Sequence, residues 1–134
     1  MGPEKKFAQQ LRKSFQKVFG KNGYIFQALV AGPGMSGVPD RYVVAEGRSA
    51  LLELKVAPRK LTKQQEYFLE KANKLGGFCM YISLAKSGDH AIAYTYSYGS
   101  WSETLIRKVY DGRSWHWDVG RLMELVPRRV TNEY

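Results

Sequence analysis

Gly37-Val38-Pro39-Asp40-Arg41-Tyr42-Val43-Val44-Ala45-Glu46-Gly47-Arg48-Ser49-Ala50-Leu51-Leu52-Glu53-Leu54-Lys55 is the stretch in which fold and chemistry are read together. Tyr42 to Ala45 and Ser49 to Val56 read as two strands, joined by a turn at Glu46-Gly47-Arg48. Side chains alternate between faces along a strand. In the second strand Ala50, Leu52, Leu54 and Val56 share a wholly apolar face, while Leu51, Glu53 and Lys55 share the other. A carboxylate and an ammonium group thus project together from a strand whose opposite face is core. Pro39-Asp40 puts a second carboxylate at the start of the neighbouring strand, so the two acidic side chains can converge.

Upstream, Glu4 to Phe19 reads as an amphipathic helix. Phe7, Leu11, Phe15, Val18 and Phe19 form one apolar stripe, and Lys5, Lys6, Gln9, Arg12, Lys13, Gln16 and Lys17 cover the other side. Gly20 and Asn22-Gly23 end it. Tyr24 to Val30 reads as a buried strand, and Ala31 to Gly37 as a flexible loop with three glycines. Downstream, Pro58-Arg59-Lys60 is a basic loop, Thr62 to Leu75 a second helix stopped by Gly76-Gly77, and Phe78 to Leu84 an apolar strand. The order helix, three strands, helix, strand predicts a mixed α/β layer arrangement.

The last third is less determinate. In Ala91 to Tyr98, Ile92, Tyr94, Tyr96 and Tyr98 fall on one strand face. That face reads as a packed sheet surface or a subunit interface in preference to a DNA-stacking platform. Trp101, Trp115 and Trp117 carry the same two readings. Thr104 to Tyr110 fits a strand entering a hairpin at Asp111-Gly112 toward Ser114–Trp117. It also fits a short helix capped by Ser102. A short helix is expected around Val119 to Val126.

The chain has 134 residues, with a formal net charge of +9 and a pI near 9.7, and is 44% hydrophobic. Length and apolar content suit one domain with a real core. The charge favours polyanionic partners and argues against acidic-protein mimicry. The single cysteine, Cys79, cannot form an intramolecular disulfide and reads as a small core hydrophobe, which suits a reducing compartment. No apolar run reaches the ~20 residues that span a membrane, and the first residues lack the apolar stretch of a secretory signal. A cytoplasmic, DNA-associated protein with no membrane partner is expected. His90 and His116 form no metal-ligand spacing with the cysteine and read as incidental.

Phosphodiester hydrolysis needs positive charge on the non-bridging oxygens and an activated water. Mg²⁺ is often held by only one or two carboxylates, keeping waters and substrate phosphates as its remaining ligands. Asp40 and Glu53 supply two carboxylates, and Lys55 a group to orient or help deprotonate water and to offset developing charge. The competing reading is a solvent-facing Glu-x-Lys salt-bridge pattern beside an ordinary Pro-Asp turn. The order, the flanking apolar strands and the basic chain favour the site.

Gly37-Val38-Pro39-Asp40 followed by Glu53-Leu54-Lys55 resembles the PD-(D/E)XK nuclease superfamily. With Arg59-Lys60-Leu61-Thr62-Lys63-Gln64-Gln65 and a helix ending at Gly76-Gly77, it is most similar to the VRR-NUC branch. Gly34-Met35-Ser36-Gly37 is also similar to archaeal Holliday-junction resolvases. The resemblance covers about residues 4–84 and implies a restriction-endonuclease-like α-β-β-β-α-β core. On this reading residues 1–134 are a single nuclease domain, with a core at 1–84 and an aromatic-rich extension at 85–134. Asp40 and Glu53 would be metal ligands, with the Leu54 carbonyl as a further one, and Lys55 the catalytic lysine. Glu4 would complete the site from the first helix; its competing role is to favour the positive end of that helix's dipole. Gln65 matches the glutamine of the second helix. Thr62-Lys63-Gln64-Gln65 also fits a capping box, and Gln64 is the alternative match.

These implications give an expected Mg²⁺- or Mn²⁺-dependent DNA endonuclease. Standalone members of the resembled branches act as homodimers on four-way junctions, so the resemblance implies a homodimeric junction resolvase; a chain this short fits structure-directed cleavage better than sequence reading. Cleavage of flaps, nicks or plain duplex, by a defensive or phage-borne enzyme, is the second reading, and a non-catalytic basic DNA-binding module the third. Arg59, Lys60 and Lys63 are the foremost phosphate contacts, then Lys5, Lys6, Arg12 and Lys13, with Arg128-Arg129 weaker.

Overall fold

The computed structural model describes residues 2–27 and 37–128. The predicted Gly-rich loop before Gly37, the end of the first predicted strand and Arg129 lie outside them. In chain order the elements are α1 (Pro3–Phe19), a 3-10 turn (Gly20–Asn22), β1 (Gly23–Gln27), β2 (Arg41–Ala45), β3 (Arg48–Val56) and α2 (Lys63–Lys74). Then follow β4 (Cys79–Leu84), β5 (His90–Ser97), β6 (Ser100–Tyr110), β7 (Trp115–Trp117) and α3 (Val119–Glu124). The strands form one seven-stranded sheet in which spatial order follows chain order. β3 and β4 run parallel, and every other neighbouring pair is antiparallel. A parallel pair needs a crossover, and α2 supplies it. The protein is therefore mixed α/β.

The alternation along β3 decides which face is closed. Ala50, Leu52 and Leu54 are buried and share a core with Val43, Met80, Ile82, Ala91, Ala93 and Ile106 of the neighbouring strands. α1 covers this face with Phe7, Leu11 and Phe15, each 1% exposed. Burying three such side chains contributes roughly 1.5–3 kcal/mol apiece. α3 and β7 complete the cover with Trp117, Val119 and Leu122. Polar bonds pin α1 to β7: the buried Ser14 hydroxyl donates to the Gln10 carbonyl at 3.0 Å and accepts from the Trp117 amide at 2.9 Å. The Trp117 indole donates to Gln10 Oε1 at 3.1 Å, and its ring meets Phe7 edge-on at 5.4 Å.

The β2–β3 hairpin turns on Glu46 (φ 50°) and Gly47 (φ 80°), the two positive φ values of a tight two-residue connection. Arg48 is the first residue of β3 and lies outside this turn. Its guanidinium donates to the carbonyls of Met123, Glu124 and Val126, satisfying the end of α3.

Thr104 to Tyr110 is strand, part of the longer β6 that starts at Ser100. The helical alternative fails because Ile106 pairs with Ala91 on one side and Val109 with His116 on the other. Of the apolar residues that mimicked helical spacing, only Ile106 is buried; Leu105, Val109 and Tyr110 are exposed. Tyr98 leaves the predicted β5 face: it sits in the Tyr98-Gly99 turn at φ 51° and is fully exposed.

Candidate active site on the open face of the sheet

Glu53 and Lys55 point away from α1, on the face that α2 only partly covers. Both are nevertheless buried, at 9% and 6% exposure, and with Ser14 they are the buried polar side chains of the described residues. β2 starts at Arg41, which pairs with Leu52; one step back along that antiparallel register sets Asp40 opposite Glu53.

The Asp40 turn is held by close packing. Gly37 has φ +87°, and a Cβ there would lie 2.6 Å from the main-chain oxygen of Gln64. Both facts demand glycine. The segment leading to Asp40 thus docks on the first turn of α2.

That first turn carries Gln65, which makes both the capping contacts and a bond to Glu53. Its backbone N–H donates to the Thr62 hydroxyl oxygen at 3.1 Å, and its Oε1 accepts from the Thr62 backbone N–H at 2.9 Å, completing the capping box. Its Nε2 donates to Glu53 Oε1 at 3.2 Å. The cap fixes the orientation in which the other end of the same amide reaches the carboxylate.

Charges converge on Glu53. Its carboxyl is pushed up to about 7, chiefly by burial. Lys55 opposes that shift, Asp40 and Glu4 add to it as like charges, and Arg41 opposes it. Asp40 and Glu4 therefore both lie within electrostatic reach of Glu53. Each also has its own partner. Asp40 accepts from Arg41 at 2.8 Å and from Gln27 Nε2 at 3.3 Å. Glu4, in the first turn of α1, pairs with Arg59 at 3.2 Å.

Among the described residues no group of three His, Cys, Asp or Glu side chains forms a ready metal-holding cluster. A Mg²⁺ site built on one or two carboxylates does not require one. The donor set fits such an ion: two carboxylate side chains at adjoining strand positions, the buried one repelled by its acidic neighbours Asp40 and Glu4. The Leu54 side chain is in the core at 1% exposure, so its contribution would come from the main-chain carbonyl.

The basic residues divide. Arg59 and Lys60 line the same groove as Lys55. Lys5 and Arg12 border a smaller recess with Gln27 and Arg41. Lys13 lines a separate recess between α1 and β7, with Lys17, Lys108 and Trp115. Lys6 and Lys63 are exposed on their helices, and Arg128 is exposed and bridges to Arg48.

Arg41 has no place among the sequence-derived site residues; it precedes the strand predicted from Tyr42, and the structure pairs it with Leu52 on the α1 side. Its side chain is only 13% exposed, and its guanidinium still reaches Asp40. The arginine directly after Pro-Asp is the one available signal. Tyr81, the cross-strand neighbour of Glu53, was likewise hidden, since the pairing of β3 with β4 is not written in either strand.

Cys79 is buried with its thiol pushed up to about 11 by burial, the state of a core residue and the opposite of an activated nucleophile. No described helix is long and apolar enough to cross a membrane. Comparison with protein-family models and with curated proteins found no match.

Proposed function

We propose that this protein is a metal-dependent DNA endonuclease that hydrolyses phosphodiesters at Asp40, Glu53 and Lys55, acting as a homodimer on four-way junctions. The observation that carries the reading is the burial of Glu53 and Lys55 on the otherwise open face, with Asp40 opposite and Gln65 bonded to the carboxylate. Burying a charged pair is costly, and a solvent-facing salt bridge would not incur that cost. The element order α1-β1-β2-β3-α2-β4 is compatible with the restriction-endonuclease-like core that the motifs resemble.

Asp40, Glu53 and the Leu54 carbonyl would hold Mg²⁺ or Mn²⁺. When bound, the ion supplies Lewis-acid stabilisation of the phosphate and a more acidic water. Lys55 places an ammonium group beside the attacked phosphate, where it orients water through its N–H bonds and offsets charge growing on the non-bridging oxygens. Gln65 holds the Glu53 carboxylate in one rotamer. Arg41 does the same for Asp40 and moderates the repulsion between the acidic groups. Arg59 and Lys60 add sequence-independent phosphate affinity.

The test is incubation of labelled four-way junction, flap and linear duplex with wild-type and Asp40→Ala protein, with and without Mg²⁺. Symmetric paired nicks at the crossover, dependent on Mg²⁺ and absent in Asp40→Ala, are expected. Full activity of Asp40→Ala would refute the site, and preference for flap or duplex would replace junction resolution with the second substrate class.

A further inference from the structure

A groove of about 490 Å³ opens beside Lys55 and runs across the sheet from β3 to β6. Its wall at β3 and the following loop is cationic, with Lys55, Arg59 and Lys60. Its wall on β4, β5 and β6 is aromatic, with Tyr81, Tyr94 and Trp101. Tyr81 and Tyr94 stack at 4.3 Å between centroids with planes 11° apart, and Trp101 meets Tyr81 edge-on at 5.3 Å. The Trp101 indole donates to Glu70 of α2 at 3.3 Å, which fixes the ring against the helix. All three rings are only half-buried, so they are not consumed by the core.

We propose that this groove is a nucleotide subsite, taking an unpaired base onto the Tyr81–Tyr94–Trp101 cluster while the adjoining phosphates lie against Lys55, Arg59 and Lys60. The inference rests on the reading that Lys55 faces a phosphodiester. Four features point to this ligand. The volume is within the range of small-ligand pockets. Neighbouring strands lie about 4.8 Å apart, so the aromatic wall starts one strand away from the cationic one, a separation suited to a backbone and its own base. Every base has a π-face, so aromatic stacking tolerates any sequence, in keeping with a chain that presents charge more than base-edge readers. A base inside a duplex has both faces covered, so only an unpaired or extruded one can enter.

Glu66 lines the same groove. Its carboxylate repels phosphate and accepts hydrogen bonds from exocyclic amines. It therefore favours the orientation with backbone toward Arg59 and base toward the rings. A strand junction, flap or frayed end supplies such a base, whereas intact linear duplex does not.

The test measures binding in EDTA, where no strand is cut. Fluorescein-labelled oligothymidylate is titrated with protein, alongside a fully abasic oligonucleotide of equal length that keeps the phosphates. Wild type is expected to bind the base-bearing strand about 5- to 100-fold more tightly. Trp101→Ala should bring the two affinities close to parity. Tyr94→Leu, which keeps an apolar side chain and guards against misfolding of the first variant, should reduce the preference as well. Equal affinity of the wild type for the two strands overturns the proposal, as does an unchanged preference in folded variants. Cleavage of labelled four-way junction, flap and linear duplex in Mg²⁺ is measured in parallel. A wild type that nicks without base preference keeps the hydrolytic site and rejects the groove. One that shows a preference lost in Trp101→Ala but cuts nothing keeps the groove and rejects the hydrolytic reading.

Discussion

The two faces of β3 are built to opposite specifications from one nine-residue strand. Leu52 and Leu54 enter a dry core under α1, where any volume lost is a cavity. Glu53 and Lys55, one residue out of phase, enter a half-covered face where burial is imposed on charges. The first face gains stability from burial, and the second carries a cost that an isolated fold would have no reason to accept. The difference teaches that residues one step apart on a strand respond to substitution in opposite ways.

The largest expected effect is on chemistry. Glu53→Gln keeps the shape of the side chain and removes its charge, and cleavage should fall by about 10²–10³-fold or more in single-turnover assays. Leu52→Ala should do the reverse: urea melts should show a loss of about 2–5 kcal/mol, with the active-site geometry kept wherever the protein remains folded.

The two faces also separate by pH. In the cation-free protein Glu53 holds its proton up to about 7, above its ordinary value of 4.5. A raised carboxyl pKa means that the folded state binds the proton more tightly than the unfolded chain. Its favourable contribution is full below the unfolded value, declines as pH rises from there to about 7, and is gone above it. In EDTA, Glu53→Gln should therefore be more stable than wild type at pH 8 by roughly 2–3 kcal/mol, with the advantage shrinking toward pH 4. A mutant no more stable than wild type at pH 8 would mean that the carboxylate is not strained by its burial.

Smaller effects sharpen the picture. Thr62→Ala removes one half of the capping box and should cost about 1 kcal/mol. It should also slow cleavage, because Gln65 then loses the anchor that aims it at Glu53. Arg59→Ala and Lys60→Ala should each lower the slope of log K against log salt by about 1 while leaving thermal stability nearly unchanged.

The β3 contrast was legible in the sequence because a period of two assigns each side chain to a face without knowledge of its neighbours. The capping box was legible because its parts lie within four residues. The cap and the contact to Glu53 are compatible in Gln65, since a primary amide has an acceptor at one atom and donors at another. The C-terminal third was harder for a physical reason. Leu105, Val109 and Tyr110 mimic a helical stripe while lying exposed, and only pairing with distant strands decides their conformation. The aromatic groove was legible only in part: stacking was the less favoured reading of Tyr94 and Trp101, while their meeting with Tyr81 was hidden because the three come from three strands and share no sequence period. Arg41 was missed because its backbone assigns it to one face while its long side chain acts at the strand end.

The central claim is that the buried pair on β3 exists for phosphodiester hydrolysis. Single-turnover cleavage of a labelled four-way junction by wild type and Lys55→Ala, in Mg²⁺ and in EDTA, tests it most directly. The account predicts cutting by wild type in Mg²⁺ alone, and none by a folded Lys55→Ala that still binds the junction. Undiminished cutting by that variant, or cutting that persists in EDTA, would contradict it.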